Sequence, residues 1–182
     1  MSFNKMTTFI PFYCPCTPFP NPDDHLLPQL HNVFLCEFSD GTNTFHSMDQ
    51  YIQWRKAVLF GDADIAAQIL ATPYLNMTMW RVLGRRIQNF DSATWREAAP
   101  LIGKEGNLLK FQQNPELRTV LLGTGDSILV CQNFYDRYWG AGVPNSEALD
   151  KPEEWVGFNW CGNVLMEVRS ELATMGWMNE SK

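Results

Sequence analysis

The chain has 182 residues, of which 45% are hydrophobic and 19% charged, a globular balance that excludes intrinsic disorder and fits one domain with a sizeable core. The formal net charge of −6 disfavours broad non-specific binding to nucleic acid, which phosphate neutralisation drives, and leaves room for a local basic groove. No apolar run reaches membrane-spanning length and no basic segment followed by a long apolar core opens the chain, so a cytoplasmic protein without a membrane partner is expected.

Residues 1–32 read as an irregular segment packed on the domain, because Pro11, Pro15, Pro18, Pro20, Pro22 and Pro28 rule out regular helix or a central strand. Val33–Phe38 reads as a short strand, Asp40-Gly41 as a turn and Thr44-Phe45 as the return strand. Ser47 is the expected cap of a helix over Met48–Phe60, with Gln50 at the capping-box position and Gly61 as its stop. Asp62–Leu70 predicts a second, Ala-rich helix ended by Thr72-Pro73, and Tyr74–Asn89 a third that Gly84 weakens. Ser92 is the expected cap of a helix through Ala99. Leu101–Gln113 is a separate candidate interrupted at Gly103 and Gly106, and Glu116–Leu122 a helix stopped by Gly123. Ser127–Cys131 is the clearest strand, residues 144–155 a polar connection, and Gly157–Glu171 a closing helix, with a tail over 173–182. The expected fold is a single, mainly helical α+β domain over 33–172 with a few short strands. No glycine-rich dinucleotide or Walker loop is present.

Cys14, Cys16, Cys36, Cys131 and Cys161 are odd in number and irregularly spaced, which points to reduced thiols. His25, His31 and His46 lack the spacing of zinc ligands, so no metal and no other cofactor is expected.

The segment after the last strand carries the densest chemistry. Asp136 offers a carboxylate, Arg137 a planar cation and Trp139 a flat surface for a base or sugar. Gly140 and Gly142 let a ligand approach the main chain. The same residues also suit a turn corner. On the Ser47 helix, Asp49, Gln53, Lys56 and Phe60 are spaced by four, three and four, so they share one face, as site residues or as a surface salt bridge. Arg81, Arg85 and Arg86 form one candidate cationic patch, and Lys104, Lys110 and Arg118 another.

Six segments, in order, resemble the NADAR superfamily (YbiA-like). Ser47–Ala57 looks like its Thr-Ala-Glu-His-Tyr-Tyr-Gln-Ala-x-Lys signature, and Leu83-Gly84-Arg85, followed by Trp95, is similar to its Leu-Gly-Arg. Lys110–Asn114 resembles Lys-Phe-x-Gln-Asn, and Leu121–Asp126 resembles Leu-Leu-x-Thr-Gly-Asp. Asp136, Trp139, Gly140 and Gly142 fall on Asp-x-x-Trp-Gly-x-Gly. Gly157–Gly162 falls on Gly-x-Asn-x-x-Gly, with Leu165, Met166 and Arg169 on the closing helix pattern. The chain departs from that pattern at Asp49 (Glu in the family), Gln50 (His) and Cys131 (Glu).

The resemblance implies an N-glycosidase. The leading substrate is ADP-ribose on modified guanine bases of DNA, which would make ADP-ribosylated DNA the partner. The alternatives are phosphorylated ribosylamino intermediates of riboflavin synthesis, or a non-catalytic module that binds ADP-ribose or a related nucleotide. Catalysis is then expected from Asp49, Lys56 and Asp136. A carboxylate stabilises positive charge on the sugar or activates water, and a buried lysine attacks an opened sugar as a Schiff base. Substrate contacts are expected from Gln53, Arg85, Lys110, Arg137, Trp139, Gly140, Gly142 and Asn159. Trp139 would stack on the base, the glycine amides would face phosphate, and the cations would pair with phosphate oxygens. Lys110 as a structural lysine and Asn159 as a turn cap are the competing readings. The sequence is silent on oligomeric state.

Overall fold

The computed structural model describes residues 7–12, 27–143 and 146–176. In chain order the strands and α-helices are β1 (Phe9–Phe12), β2 (Phe38–Ser39), β3 (Thr44–Phe45), α1 (Met48–Leu59), α2 (Ala63–Ala71), α3 (Met77–Gly84), α4 (Ser92–Gln113), α5 (Pro115–Gly123), β4 (Ile128–Cys131) and α6 (Trp160–Thr174). The fold is α+β and mainly helical. It divides into two compact units, Asn32–Arg118 and a second made of Met1–His31 with Thr119–Lys182. The proposed tail beyond Gly176 and most of the proline-rich segment lie outside the described residues.

The 32–118 unit is built on α1. Ser47 Oγ accepts from the Gln50 amide at 3.1 Å, and Gln50 Oε1 accepts from the His46 amide at 2.8 Å, so the reciprocal cap reaches one residue further back than the usual box. Gln50 also donates to the Ile69 carbonyl, tying α1 to the end of α2. Gly61 turns the chain with φ +72°, and Asp62 Oδ1 caps α2 through the Ile65 amide at 3.1 Å. Ala57, Ile65, Ala66, Ile69, Trp80, Leu83 and Ile87 form one buried cluster among α1, α2 and α3. The β2–β3 hairpin pairs Phe38 with Phe45, and Gln113 bonds both the N–H and the C=O of Ser39.

Several boundaries differ from expectation. The strand proposed over Val33–Phe38 is confined to β2, because upstream backbone is used elsewhere: the Asn32 carbonyl accepts from the Asp49 amide, and the Cys36 amide donates to His46. The third helix ends at Gly84, short of Asn89, which holds φ 55°. The cap before Trp95 is Asp91, whose Oδ1 accepts from the Thr94 amide at 2.7 Å, with Ser92 already helical. The two helices expected over 92–113 are one, α4, which runs through Pro100. Gly106 serves packing: a Cβ there would lie 2.5 Å from the Tyr51 ring and 2.7 Å from Met48 Cε. Close approach of α1 outweighs the helix-weakening tendency of glycine.

In the other unit, β1 pairs in parallel with β4, Phe9 opposite Ile128 through Phe12 opposite Cys131. Pro11 therefore lies in a strand. A proline is compatible with a strand paired on one side only, so the irregular reading fails at residues 11–12. Against β4 packs α6, starting at Trp160 and running to Thr174. Asn159 is left-handed (φ 53°). Its Oδ1 accepts from the Cys131 amide at 2.9 Å and its Nδ2 donates to the Leu129 carbonyl at 2.8 Å, so one side chain serves as a strand partner for β4. Arg169 fastens α6 to the turn before β4 through Thr124 Oγ1 and the Ser127 carbonyl. The polar connection contains short 3-10 turns at Ser146–Ala148 and Pro152–Glu154.

Candidate functional site

In the 32–118 unit the stripe on α1 faces α3. Asp49 lies in the first turn of α1, where a carboxylate suits the helix dipole, and is 7% exposed. Arg81 Nε donates to its Oδ2 at 2.8 Å. One turn on, Gln53 presses on Gly84: a Cβ at Gly84 would fall on the Gln53 carboxamide, so a larger residue there requires that carboxamide to move. Lys56 Nζ then donates to the Gly84 carbonyl at 3.0 Å, with the Phe90 ring 4.2 Å and the Trp95 ring 5.6 Å from the ammonium group. Burial pushes the Lys56 pKa below its ordinary lysine value.

Arg85 follows Gly84 and is exposed, as is Arg86. Lys110, on α4, is fully buried, its ammonium 4.9 Å from the Phe111 ring and 5.9 Å from the Phe34 ring. Burial raises the neighbouring Cys36 thiol pKa, and the Lys110 charge pulls it back in part. Arg81, Phe90 and Trp95 complete this cluster. Arg81 was legible only as part of an arginine run and Trp95 only as a motif neighbour, and Phe90 carried no signal.

The remaining expected residues belong to the other unit. Asn133 Oδ1 accepts from the amides of Tyr135 and Asp136. Asp136 Oδ1 accepts from the amides of Tyr138 and Trp139, both at 3.1 Å, and the Asp136 carbonyl accepts from the Gly140 amide at 2.8 Å. The Gly140 amide, expected to face phosphate, is thus spent inside the turn. Gly140 is needed because a Cβ would strike the Asn133 carbonyl and lie 2.8 Å from that of Asp136. Gly142 holds φ +62°. Trp139 is half-buried, edge-on to Trp160 at 5.9 Å, and Arg137 is exposed. Asn159 is buried and committed to β4.

Cys131, where the family pattern carries a glutamate, is buried beside Cys161. A hydrogen bond with Cys161, together with burial, holds its thiol well above the ordinary value. Among the described residues no group of His, Cys, Asp and Glu could hold a metal ion, and no helix is long and apolar enough to cross a membrane.

A family model described as the NADAR domain matches residues 19–173. N-glycosidase R617 of Acanthamoeba polyphaga mimivirus is 36% identical over 150 residues, covering 81% of this chain and 87% of that protein. Protein irg-1 of Caenorhabditis elegans is 35% identical over 133 residues, 71% of this chain and 62% of that protein. The NMR structure of the E. coli protein YbiA superposes with a TM-score of 0.71 at 23% identity, covering 96% of this chain and 90% of that one, which establishes likeness of fold.

Proposed function

The chain belongs to the NADAR domain family, it is a hydrolase of N-glycosidic bonds like its N-glycosidase relatives, and we propose that it removes ADP-ribose from modified guanine bases of DNA. The observation that carries this reading is the row along α1: a carboxylate gripped by Arg81, then Gln53, then a lysine whose burial favours the neutral amine.

Breaking a bond between an anomeric carbon and nitrogen develops positive charge on the sugar. The Asp49 carboxylate, held by Arg81, stabilises that charge. Lys56, once deprotonated, adds through Nζ to C1 of the opened sugar, the base leaves with the proton released from Nζ on its nitrogen, and water cleaves the imine to return the free lysine. Arg85, exposed and next to Gly84, pairs with a phosphate oxygen. Lys110 and Asn159 are assigned to the scaffold because both are buried and engaged within it. The preference for ADP-ribose over ribosylamino phosphates rests on Cys131, whose buried thiol supplies no carboxylate.

Turnover assays with an ADP-ribosylated guanine oligonucleotide and with a ribosylamino-pyrimidine phosphate test the reading. Release of ADP-ribose from the first is expected, with borohydride trapping a sugar adduct on Lys56. Cleavage of the second substrate alone would move the protein to riboflavin intermediates. Tight ADP-ribose binding with neither substrate cleaved would make it a binding module.

A further inference from the structure

The turn after β4 and the start of α6 together display aromatic rings that the proposed reaction does not use. Tyr138 and Phe158 are 41% and 62% exposed, far more than large aromatic side chains need to be. Tyr138 and Phe158 lie 5.7 Å apart with planes 23° from parallel. Phe158 and Trp160 lie 6.2 Å apart at 25°, and Tyr138 and Trp160 5.0 Å apart at 39°. The three rings form a near-parallel shelf.

Its backbone is fixed. The amide of Phe158 donates to Arg137, that of Asn159 to Gly140, that of Trp160 to Tyr138 and that of Cys161 to Trp139, at 2.8–3.1 Å. These bonds satisfy the amides at and before the start of α6, so the backbone that carries the rings is ordered before any ligand arrives and less entropy is lost on binding. Arg137, exposed, adjoins Tyr138 in the chain. Tyr138, Phe158 and Trp160 stand at the unspecified positions of the Asp-x-x-Trp-Gly-x-Gly and Gly-x-Asn-x-x-Gly patterns.

We propose that Tyr138, Phe158 and Trp160 form a stacking subsite for unpaired bases of a single-stranded nucleic acid. Exposed aromatic rings that already stack on one another can extend the stack to unpaired bases, since every base has a stacking face whatever its sequence. The inference rests on the nucleic-acid substrate proposed above. With a net charge of −6, affinity comes from stacking, and the salt dependence is shallow, with a log–log slope no steeper than about −0.7, the value for one phosphate neutralised on a single strand.

The test titrates the full chain with unmodified ten-residue oligothymidine, read by tryptophan fluorescence and repeated at two salt concentrations. Thermal melts and turnover on ADP-ribosylated guanosine, which has no flanking bases, are run beside it. Phe158→Ala and Tyr138→Ala should each weaken oligonucleotide binding roughly fivefold or more. Phe158→Leu, which keeps apolar area without a π face, should weaken it too. All three should melt near wild type and keep their turnover of the nucleoside. Wild-type protein that cleaves the nucleoside but does not bind the oligonucleotide would overturn the subsite and leave the proposed function standing. Oligonucleotide binding that responds to these variants in a protein that cleaves neither substrate would support the subsite and overturn the proposed function. Unchanged oligonucleotide binding in the variants, or loss only of self-association in sedimentation, would overturn the subsite as a nucleic-acid surface.

Discussion

Asp49 and Lys56 sit on one face of one helix yet meet different electrostatic environments. Asp49 is buried and paired, so Asp49→Asn removes the charge and leaves Arg81, whose side chain is 40% exposed, without its partner. Turnover should fall about 10²–10³-fold. Stability should fall by about 1–3 kcal/mol, less than for a fully buried pair because water reaches the guanidinium. Steady-state kinetics beside a thermal melt separates the two effects. Lys56 has its folded pKa lowered by burial, so in the window between that value and the ordinary 10.5 the unfolded chain binds more protons than the folded one. Stability contributed by this group is present above the ordinary value and lost as pH falls through the folded value. Wild-type stability relative to Lys56→Met should therefore rise with pH on the alkaline side, and denaturant melts across that range would show the opposite slope if the lysine were held charged. Turnover should rise through the same lowered pKa if the free amine is the nucleophile.

At the level of elements, two contacts decide how helices meet their neighbours. Gly106→Ala on α4 would drive a methyl into Tyr51 and Met48 of α1 and should cost about 1–3 kcal/mol, despite alanine's better helix propensity. Gly123→Ala, at the end of α5 with nothing within 4 Å of the new Cβ, should instead be neutral or gain up to about 1 kcal/mol. Equal melting shifts for the pair would show that α1 and α4 are not closely packed at Gly106. Asn159→Ala would orphan the Cys131 amide and the Leu129 carbonyl and place alanine in the left-handed region, at a combined cost of about 3 kcal/mol or more. Asn159→Gly should recover the backbone part alone. If both variants melt with wild type, the side chain is not the strand partner described.

On the scale of the whole molecule, the described cysteines report on unfolding. Cys131 and Cys161 are buried with 1% exposure, whereas Cys36 is partly exposed, and all three are free thiols. Pulse alkylation read by peptide mass should label Cys131 and Cys161 only as denaturant carries the chain through the transition seen in tryptophan fluorescence. Labelling of this pair well below the transition would mean that the β4–α6 layer opens by itself.

Local chemistry made much of the molecule legible from its residues alone. Ser47 and Asp62 announce the starts of α1 and α2, the run ending at Cys131 announces β4, and the ordered motifs announce the family, because caps, apolar runs and turn residues act within a few positions of themselves. Arg81 could not be assigned to Asp49 from spacing, since the pair lies 32 residues apart, and the Gly84 carbonyl that receives Lys56 lies 28 away. Gly103 and Gly106 read as interruptions in isolation, yet α4 is continuous, and packing against α1 requires the small residue at Gly106. The Gly140 amide read as available, and only the folded turn shows it bonded to Asp136. Segment-level preferences fix which elements form. Which side chains share a site, and which polar groups are already spent, depends on partners distant in sequence that only tertiary packing brings within reach.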